Sequence, residues 1–249
     1  MERHDAVGHF ASIAADYSAY RPTYPAALFD WLAAEAVGRD LAWDCGAGSG
    51  QATRALAERF AEVVATDVSR AQLAAGARTR GVHAWAAAAE RSGIRTGRVD
   101  VITVAQALHW FDVAAFFEEV RRVARPRGLI VVWSYADPRL DGRPGAVLAA
   151  FADRVRSYWP PGRELVDTGY RTIALPFVER PVPNFSMTAD WPLDAVIGYV
   201  GTWSAVGAYR DIHGVDPIVA LRQELAPAWG DATQRRGIAW TLSVRAARV

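Results

Sequence analysis

Apolar residues follow two alternating patterns from residue 41 onward. Short unbroken apolar runs predict buried strands, because a strand covered on both faces of a sheet needs no polar face. Between these runs, apolar residues recur every three or four positions, which is typical of amphipathic helices. The predicted strands are 41–45, 62–67, 82–86, 99–104, 129–133, 185–191 and 238–249. The predicted helices are 25–37, 52–60, 69–78, 113–124, 145–158, 193–204 and 218–225.

This order of elements predicts an α/β fold. Alternating strands and helices connect parallel neighbours through right-handed crossovers, which gives a Rossmann-like, doubly wound, mostly parallel sheet. We expect seven strands, of which the C-terminal strand is antiparallel, and a helical cap over the site. The ligand crevice of such a sheet lies at the carboxyl ends of its strands.

A glycine-rich turn follows the first strand. Gly46, Gly48 and Gly50 stand at alternate positions before a predicted helix. Such a loop offers free backbone N–H groups, and a ligand can approach its main chain because glycine has no Cβ. Asp67 ends the second strand, where a carboxylate can accept hydrogen bonds from ribose hydroxyls. Gln51 occupies the third glycine position of the dinucleotide fingerprint, so the spacing favours a different nucleoside cofactor.

The run 44–50 resembles motif I, D-x-G-x-G-x-G, of the class I S-adenosylmethionine-dependent methyltransferases. Three further stretches resemble the trans-aconitate methyltransferase-like, or methyltransferase type 11, subgroup: residues 10–25, 107–112 and 198–206. The resemblance extends over nearly the whole chain. It implies S-adenosyl-L-methionine as the cofactor and methyl transfer as the reaction. One departure is Ala88, which stands where the subgroup often carries an acid positioned for the adenine amine.

The resemblance also implies which residues hold the cofactor. The glycine loop would wrap its methionine and ribose end, and Asp67 would take the ribose. Adenine recognition would rest on backbone groups around Ala89 and on Glu90. The implied cofactor-binding residues are Asp44, Gly46, Ala47, Gly48, Gly50, Asp67, Val68, Ala89, Glu90 and Gln106.

Polar and aromatic residues at the remaining strand ends are candidates for the second substrate. His109 is the candidate catalytic residue, a general base for an acceptor that must lose a proton. Aromatic faces attract a sulfonium cation, and arginine can clamp a carboxylate. The candidate substrate residues are Tyr17, Tyr20, Arg21, Trp110, Trp133, Tyr135, Tyr199 and Trp203. Core packing is the alternative interpretation for each aromatic residue.

The predicted function is methyl transfer from S-adenosylmethionine to a small-molecule acceptor, and the subgroup favours the oxygen of a carboxylic acid. Two alternatives stay open: a non-catalytic regulatory module that binds the cofactor, and a nicotinamide-dependent dehydrogenase. We interpret the chain as one domain over 1–249. Its predicted parts are an N-terminal helical segment (1–38), a cofactor-binding core (39–136), a cap and substrate segment (137–236) and a closing strand (237–249).

Composition narrows the partners and the compartment. The 249 residues are 51% apolar and 22% charged, which is ordinary for a globular protein. A net charge of +1 gives no basic field for nucleic acid, and no apolar run is long enough for a membrane span. Cys45 is the only cysteine, which excludes an internal disulfide and a multi-cysteine metal site. We therefore expect a cytoplasmic protein with no metal and no nucleic-acid or membrane partner. The sequence does not determine the oligomeric state, which is left open between a monomer and a weak dimer.

Overall fold

A computed structural model describes residues 21–76 and 79–249, so the candidates Tyr17 and Tyr20 lie outside the described residues. The α-helices are α1 (Ala26–Glu35), α2 (Gln51–Ala57), α3 (Arg70–Ala75), α4 (Val113–Val123), α5 (Gly142–Val155), α6 (Arg163–Asp167), α7 (Leu193–Gly201), α8 (Ser204–His213) and α9 (Pro217–Trp229). The strands are β1 (Leu41–Cys45), β2 (Glu62–Asp67), β3 (Val82–Ala86), β4 (Val99–Ala105), β5 (Ala124–Tyr135), β6 (Arg139–Leu140), β7 (Val178–Arg180), β8 (Ser186–Trp191) and β9 (Arg236–Arg248). Short 3-10 helices cover Leu108–Trp110 and Arg156–Tyr158.

The described chain forms two compact units. We call the first the sheet unit; it contains residues 23–135, 164–185 and 242–249. We call the second the helical unit; it contains residues 21–22, 136–163 and 186–241. The single-domain interpretation and the cap over the site stay predictions.

The sheet unit is built on five parallel strands in the order β3-β2-β1-β4-β5. Residues 242–248 of β9 pair antiparallel with β5, and β7 pairs antiparallel with β9. The predicted α/β class and the antiparallel C-terminal strand are confirmed. The described residues contain nine strands rather than the seven expected. The two additional strands, β6 and β7, have two and three residues, too few to show a hydrophobic period.

Apolar side chains cover both faces of this sheet, as expected for parallel strands. Adjacent residues of β1 face opposite layers: Ala42 packs with Leu32 of α1, while Trp43 packs with Phe116 of α4. The indole Nε1 of Trp43 donates to the Thr66 hydroxyl at 2.9 Å, so its one polar atom is satisfied inside the core. The two layers fix the strands whose carboxyl ends carry the site.

The helical unit contains β6, β8 and residues 236–241 of β9, which pair antiparallel. A cluster of aromatic residues fills its interior. Trp240 Nε1 donates to the Tyr199 hydroxyl at 3.0 Å, and the Trp191 ring lies 5.2 Å from the Trp240 ring. Trp203 packs at 5.7 Å from Trp159. No helix in the described ranges combines the length and apolar character that crossing a membrane requires.

Most predicted elements differ in their bounds by a few residues, and the differences in one helix and one strand change the description of the fold. The helix expected over 193–204 ends at Gly201, and a new helix begins at Ser204. The fifth strand begins at Ala124 instead of residue 129, because Ala124 pairs with Val99 before a register shift in the ladder. The early start of β5 comes from pairing between distant residues, which local hydrophobic patterns do not report.

Candidate functional site

The glycine turn has the backbone that its sequence predicts. Gly46, Gly48 and Gly50 have φ angles of +71°, +54° and +80°. In this left-handed region a side chain is strained, whereas glycine is not. A Cβ on Gly46 would lie 2.5 Å from the Cβ of Ala107. The segment that contains Ala107 can therefore approach the turn this closely only because residue 46 is glycine. The turn therefore brings bare main chain to the carboxyl end of β1.

Asp67 joins the end of β2 to this turn. One carboxylate oxygen accepts from the backbone N–H of Gly48 at 2.9 Å, and the other accepts from Ser69 N–H at 2.8 Å. Burial raises the pKa of Asp67 above its usual value, and the backbone N–H groups that donate to it oppose that shift. Each oxygen keeps a further lone pair for another donor. The ribose role of Asp67 stays a prediction.

Asp44 lies beneath the turn and is completely buried. Its carboxylate accepts hydrogen bonds from the Thr53 hydroxyl at 2.5 Å and the Thr103 hydroxyl at 3.1 Å. Burial raises the pKa of Asp44 to about 6, and the two hydroxyls oppose that shift. At neutral pH the group is therefore mostly an anion that no cation within the described residues neutralises. A direct cofactor contact of Asp44 stays a prediction.

The cofactor candidates that follow β2 and β3 lie on two loops. Val68, directly after β2, is 57% exposed, whereas Ala89 is buried. A carboxylate oxygen of Glu90 accepts from the backbone N–H of Asp112 at 2.7 Å. Asp112 is itself the N-cap of α4. Glu90 therefore connects the loop after β3 to the start of α4.

The same loop, residues 87–98, has no regular secondary structure but is fastened to α4. Glu119 accepts from the backbone N–H of Ser92 at 2.8 Å and from its hydroxyl at 2.5 Å. Arg122 donates to both oxygens of Glu119 at 2.7 Å. Hydrogen bonds from Arg122 and Ser92 outweigh burial and lower the pKa of Glu119. The loop is held by a carboxylate that stays ionised.

Around the carboxyl ends of β1, β4 and β5, three buried polar atoms have no hydrogen-bond partner among the described residues. They lie in the turn after β1 and at the carboxyl ends of β4 and β5, and they are Ser49 Oγ, Gln106 Oε1 and Trp133 Nε1. Gln106 also has a left-handed backbone, with φ +56°, and its Nε2 donates to the Tyr135 carbonyl at 2.9 Å. Buried polar atoms normally find partners, and strained residues cluster at ligand sites. These atoms are positions where a ligand can supply the missing bonds.

His109 lies in the 3-10 helix that follows β4. Its Nδ1 is 2.9 Å from the hydroxyl of Tyr170, and the two rings are stacked with an angle of 25°. The Trp110 ring also packs against His109, with ring centroids 4.9 Å apart. A base at Nδ1 is therefore not available while the Tyr170 contact persists.

Tyr170 was not among the candidates predicted from the sequence. It is fully buried and has a left-handed backbone, with φ +58°. Arg245 donates to the backbone carbonyls of Tyr170 at 2.5 Å and Ile173 at 2.6 Å. No motif surrounds Tyr170, and 61 residues separate it from His109. The fold alone brings the two together.

Tyr24 also joins the predicted aromatic residues. Its ring meets the Trp133 ring edge-on at 5.4 Å and lies 6.2 Å from the Tyr135 ring. Tyr24 stands within residues 10–25, a stretch that carries the family resemblance, so that signal could have identified it. The three rings form one aromatic cluster in the sheet unit.

The other candidate substrate residues belong to the helical unit. Arg21 donates to the Thr202 carbonyl at 3.4 Å, and its guanidinium lies 5.7 Å from the centre of the Tyr199 ring. Tyr199 and Trp203 are 3% and 2% exposed. These contacts are those of a packed interior, and a substrate role for the three residues stays a prediction.

Cys45 is completely buried, and burial raises the pKa of its thiol well above the usual value. A nucleophile must be a thiolate, so this environment disfavours nucleophilic chemistry. Its interpretation as a small buried residue is confirmed. In residues 21–76 and 79–249, no cluster of three His, Cys, Asp or Glu side chains could hold a metal ion.

Comparisons with known proteins identify the family. The profile of a family described as "Methyltransferase domain" matches residues 43–132, which contain the turn and Asp67. A Dictyostelium discoideum protein, provisionally named a methyltransferase, is 32% identical over 225 residues, 88% of this chain and 86% of that protein. The chain belongs to the methyltransferase family.

Further relatives support the assignment of this chain to the methyltransferase family. An uncharacterized methyltransferase of Mycobacterium tuberculosis is 39% identical over 146 residues, 55% of this chain and 57% of that protein. A solved structure from Anaeromyxobacter dehalogenans, provisionally described as a type II methyltransferase, is 42% identical with a TM-score of 0.84. It covers 92% of this chain and 98% of that one. The predicted family is confirmed, while the trans-aconitate-like subgroup stays a prediction.

Proposed function

We propose that the methyltransferase moves a methyl group from S-adenosylmethionine to a carboxylate oxygen of a small-molecule acceptor. The observation that carries the proposal is the bare glycine turn tied to Asp67, because it joins an amide-lined surface to a carboxylate at the neighbouring strand end. That combination suits S-adenosylmethionine, because the backbone amides can bind its methionine end and the carboxylate can bind its ribose hydroxyls.

The residues present fit this cofactor. Free lone pairs on Asp67 can accept from the ribose hydroxyls, and the backbone at Ala89 with Glu90 borders the adenine position. Ser49 Oγ and Gln106 Oε1 are buried without partners in the described chain and can bond the methionine end. The anionic Asp44 beneath the turn provides a negative potential for an ammonium group.

When bound, S-adenosylmethionine supplies a methyl group attached to a positively charged sulfur. A carboxylate acceptor is already ionised at neutral pH, so the chain has no proton to remove from it. Positioning by the protein can contribute roughly 7–11 kcal/mol to such a displacement. The aromatic cluster of Tyr24, Trp133 and Tyr135 supplies apolar walls that exclude water and ring faces that attract a sulfonium.

We place the enzyme in the cytoplasm, acting on a small molecule. The lone buried cysteine suits a reducing compartment, where proteins need no disulfides. The small-molecule acceptor follows from the few polar and many aromatic groups around the strand ends.

The test is transfer of a radiolabelled methyl group to a panel of carboxylic acids, phenols and amines. We expect label in carboxylic acids only, released by mild alkali as methanol, which identifies a methyl ester. Label confined to phenols or amines would overturn the acceptor class. Cofactor binding without any transfer would favour the regulatory module, and nicotinamide-dependent oxidation would favour the dehydrogenase.

A further inference from the structure

One end of the sheet in the sheet unit is an unprotected edge. Strand β3 forms that end, and within the described ranges it pairs with β2 alone. The pairing is regular over all five residues of β3, without a bulge. The strand contains no proline and no lysine, the residues that natural proteins place on edges to block further pairing. Its backbone therefore offers a template for another strand.

Alternate residues of β3 direct their backbone groups away from β2. The N–H of Ala87 donates to the Asp67 carbonyl of β2 at 3.1 Å. In a parallel ladder every second residue bonds the same neighbour, so the odd-numbered residues of β3 bond β2. The N–H and C=O of Ala84 and Ala86 therefore point outward. Within the described ranges, no loop backbone or side chain bonds these outward groups.

The opposite end of this sheet is protected. Strand β7 has three residues, of which Glu179 and Arg180 are charged. Pro181 follows directly, and Pro183 comes two residues later. Short length, charge and proline each hinder edge-to-edge pairing. The contrast between the two ends singles out β3 as the edge that can accept a further strand.

The sequence of β3 is complementary to a second copy of itself. Ala84 is its central residue, so antiparallel pairing about a two-fold axis places Ala84 opposite Ala84 of the second copy. These two residues then exchange both N–H···O=C bonds, and the Ala86 N–H of each copy reaches the Val82 carbonyl of the other. His83 falls opposite Trp85 at a non-hydrogen-bonded position, where side chains come closest. Two cross-strand ring pairs form, and no like charges face each other.

The rings that would meet are exposed and already held in place. The indole Nε1 of Trp85 donates to the Ser92 carbonyl at 2.8 Å. The imidazole Nε2 of His83 lies 2.6 Å from a carboxylate oxygen of Glu62. Residues 83 and 85 stand two positions apart, so their side chains point to the same face of the sheet. Because both rings are ordered beforehand, association costs little side-chain entropy.

We propose that β3 is the interface of a homodimer, in which two copies pair antiparallel about Ala84 and their sheets become continuous. Two five-residue strands bury a small area, so the dimer is reversible and forms at high protein concentration. The proposal does not depend on the methyl acceptor, because it stands on the edge of the sheet and not on the carboxyl ends of the strands.

The experiment is sedimentation equilibrium of the unaltered protein and of two variants at the two-fold axis. Ala84→Glu and Ala84→Lys each place like charges directly opposite one another, and each should weaken dimerisation about fivefold or more. An equal mixture of the two variants should associate at least as tightly as the unaltered protein, since opposite charges then meet. A mixture that associates as weakly as each variant alone would overturn the proposal, as would an unaltered protein that stays monomeric at every concentration.

The matched controls are Val178→Glu and Val178→Lys. They carry the same charges on β7, at the protected end of the sheet, where Val178 is 71% exposed. Both should leave the dissociation constant of the dimer unchanged. If they weaken dimerisation as much as the Ala84 variants do, the effect is one of net charge and β3 is not the interface. Circular dichroism checks that each variant is folded.

Amide hydrogen exchange of the unaltered protein distinguishes the other possible occupants of the edge. The N–H groups of Ala84 and Ala86 should be protected only at concentrations where the dimer forms. Protection that is independent of concentration would mean that another segment of the same chain covers β3, and would overturn the proposal. This measurement decides the question even if the Ala84 variants do not fold.

Discussion

At the scale of single residues, two buried aspartates on adjacent strands of the sheet unit have opposite surroundings. Asp100 on β4 is paired with Arg125 at 2.7 Å and accepts from the backbone N–H of Leu41 at 2.9 Å. Asp44 on β1 has hydroxyls as its hydrogen-bond partners and no cation within the described residues. Burying an uncompensated charge costs stability, so the ionised carboxylate of Asp44 lowers the free energy of unfolding.

We predict that Asp44→Asn raises stability above pH 6. The pKa of Asp44 rises from 3.8 to about 6 on folding, so the folded state favours the protonated form. The contribution of Asp44 to the free energy of unfolding is fully present below about pH 4 and is lost as the pH rises through about 6. The total loss is about 3 kcal/mol at most. The variant should not show this loss in urea unfolding across that range, although its cofactor affinity should fall.

Asp100→Asn is the matched control for this prediction. It removes a carboxylate that is neutralised, so we expect a loss of roughly 1–3 kcal/mol at pH 7. If Asp44→Asn is destabilised to the same extent, the charge of Asp44 is compensated and our account of it is wrong.

We predict that Asp67→Ala weakens the binding of S-adenosylhomocysteine at least tenfold in calorimetry. The reason is the loss of one or two hydrogen bonds to a charged acceptor. Asp67 also holds Gly48 and Ser69, so the control is Ser69→Ala, which removes the hydroxyl that caps Gln72 and keeps the carboxylate. Equal affinities of Asp67→Ala and the unaltered protein would remove Asp67 from the site.

At the scale of elements, the turn between β1 and α2 offers a matched pair of glycines. Gly46 and Gly50 both have a left-handed backbone, but a Cβ at Gly50 would have its nearest neighbour at 3.6 Å. We predict that Gly50→Ala costs about 1–2 kcal/mol through backbone strain alone. Gly46→Ala adds a clash with Ala107 and should cost more and abolish cofactor binding.

Thermal unfolding and calorimetry of both glycine variants check this prediction. Equal losses of stability would show that the approach of Ala107 to the turn is not important. Normal cofactor affinity in Gly46→Ala would show that the ligand does not depend on the shape of the turn.

The same scale shows what the sequence could predict. The parallel strands, the glycine turn and Asp67 each follow from residues within one strand–helix unit, where spacing determines geometry. The Thr103 partner of Asp44 was not predictable, because Thr103 lies on β4, 59 residues away in the chain. Tyr170 was missed for the same reason, since only tertiary packing places it beside His109. Tyr24 could have been found, since it lies within a stretch that carries the resemblance.

At the scale of the whole molecule, ligand binding adds to the free energy of unfolding. We predict that S-adenosylhomocysteine at 100-fold its dissociation constant stabilises the protein by about 2.7 kcal/mol. For a chain of 249 residues this corresponds to an increase of about 5–10 °C in the unfolding midpoint. NADH at the same concentration should produce no shift. Protection by NADH instead would contradict the cofactor assignment.

The carboxylate of Glu119 has a consequence for how the nucleoside is discriminated. Because this group already anchors Ser92, the segment 87–98 is ordered before any ligand arrives. Little conformational entropy is then lost when a ligand binds. A preorganised segment also cannot change its shape to fit a different base. If adenine binds against this segment, as proposed, selectivity for the purine is set during folding, and we expect a substitution of Glu119 in α4 to relax it.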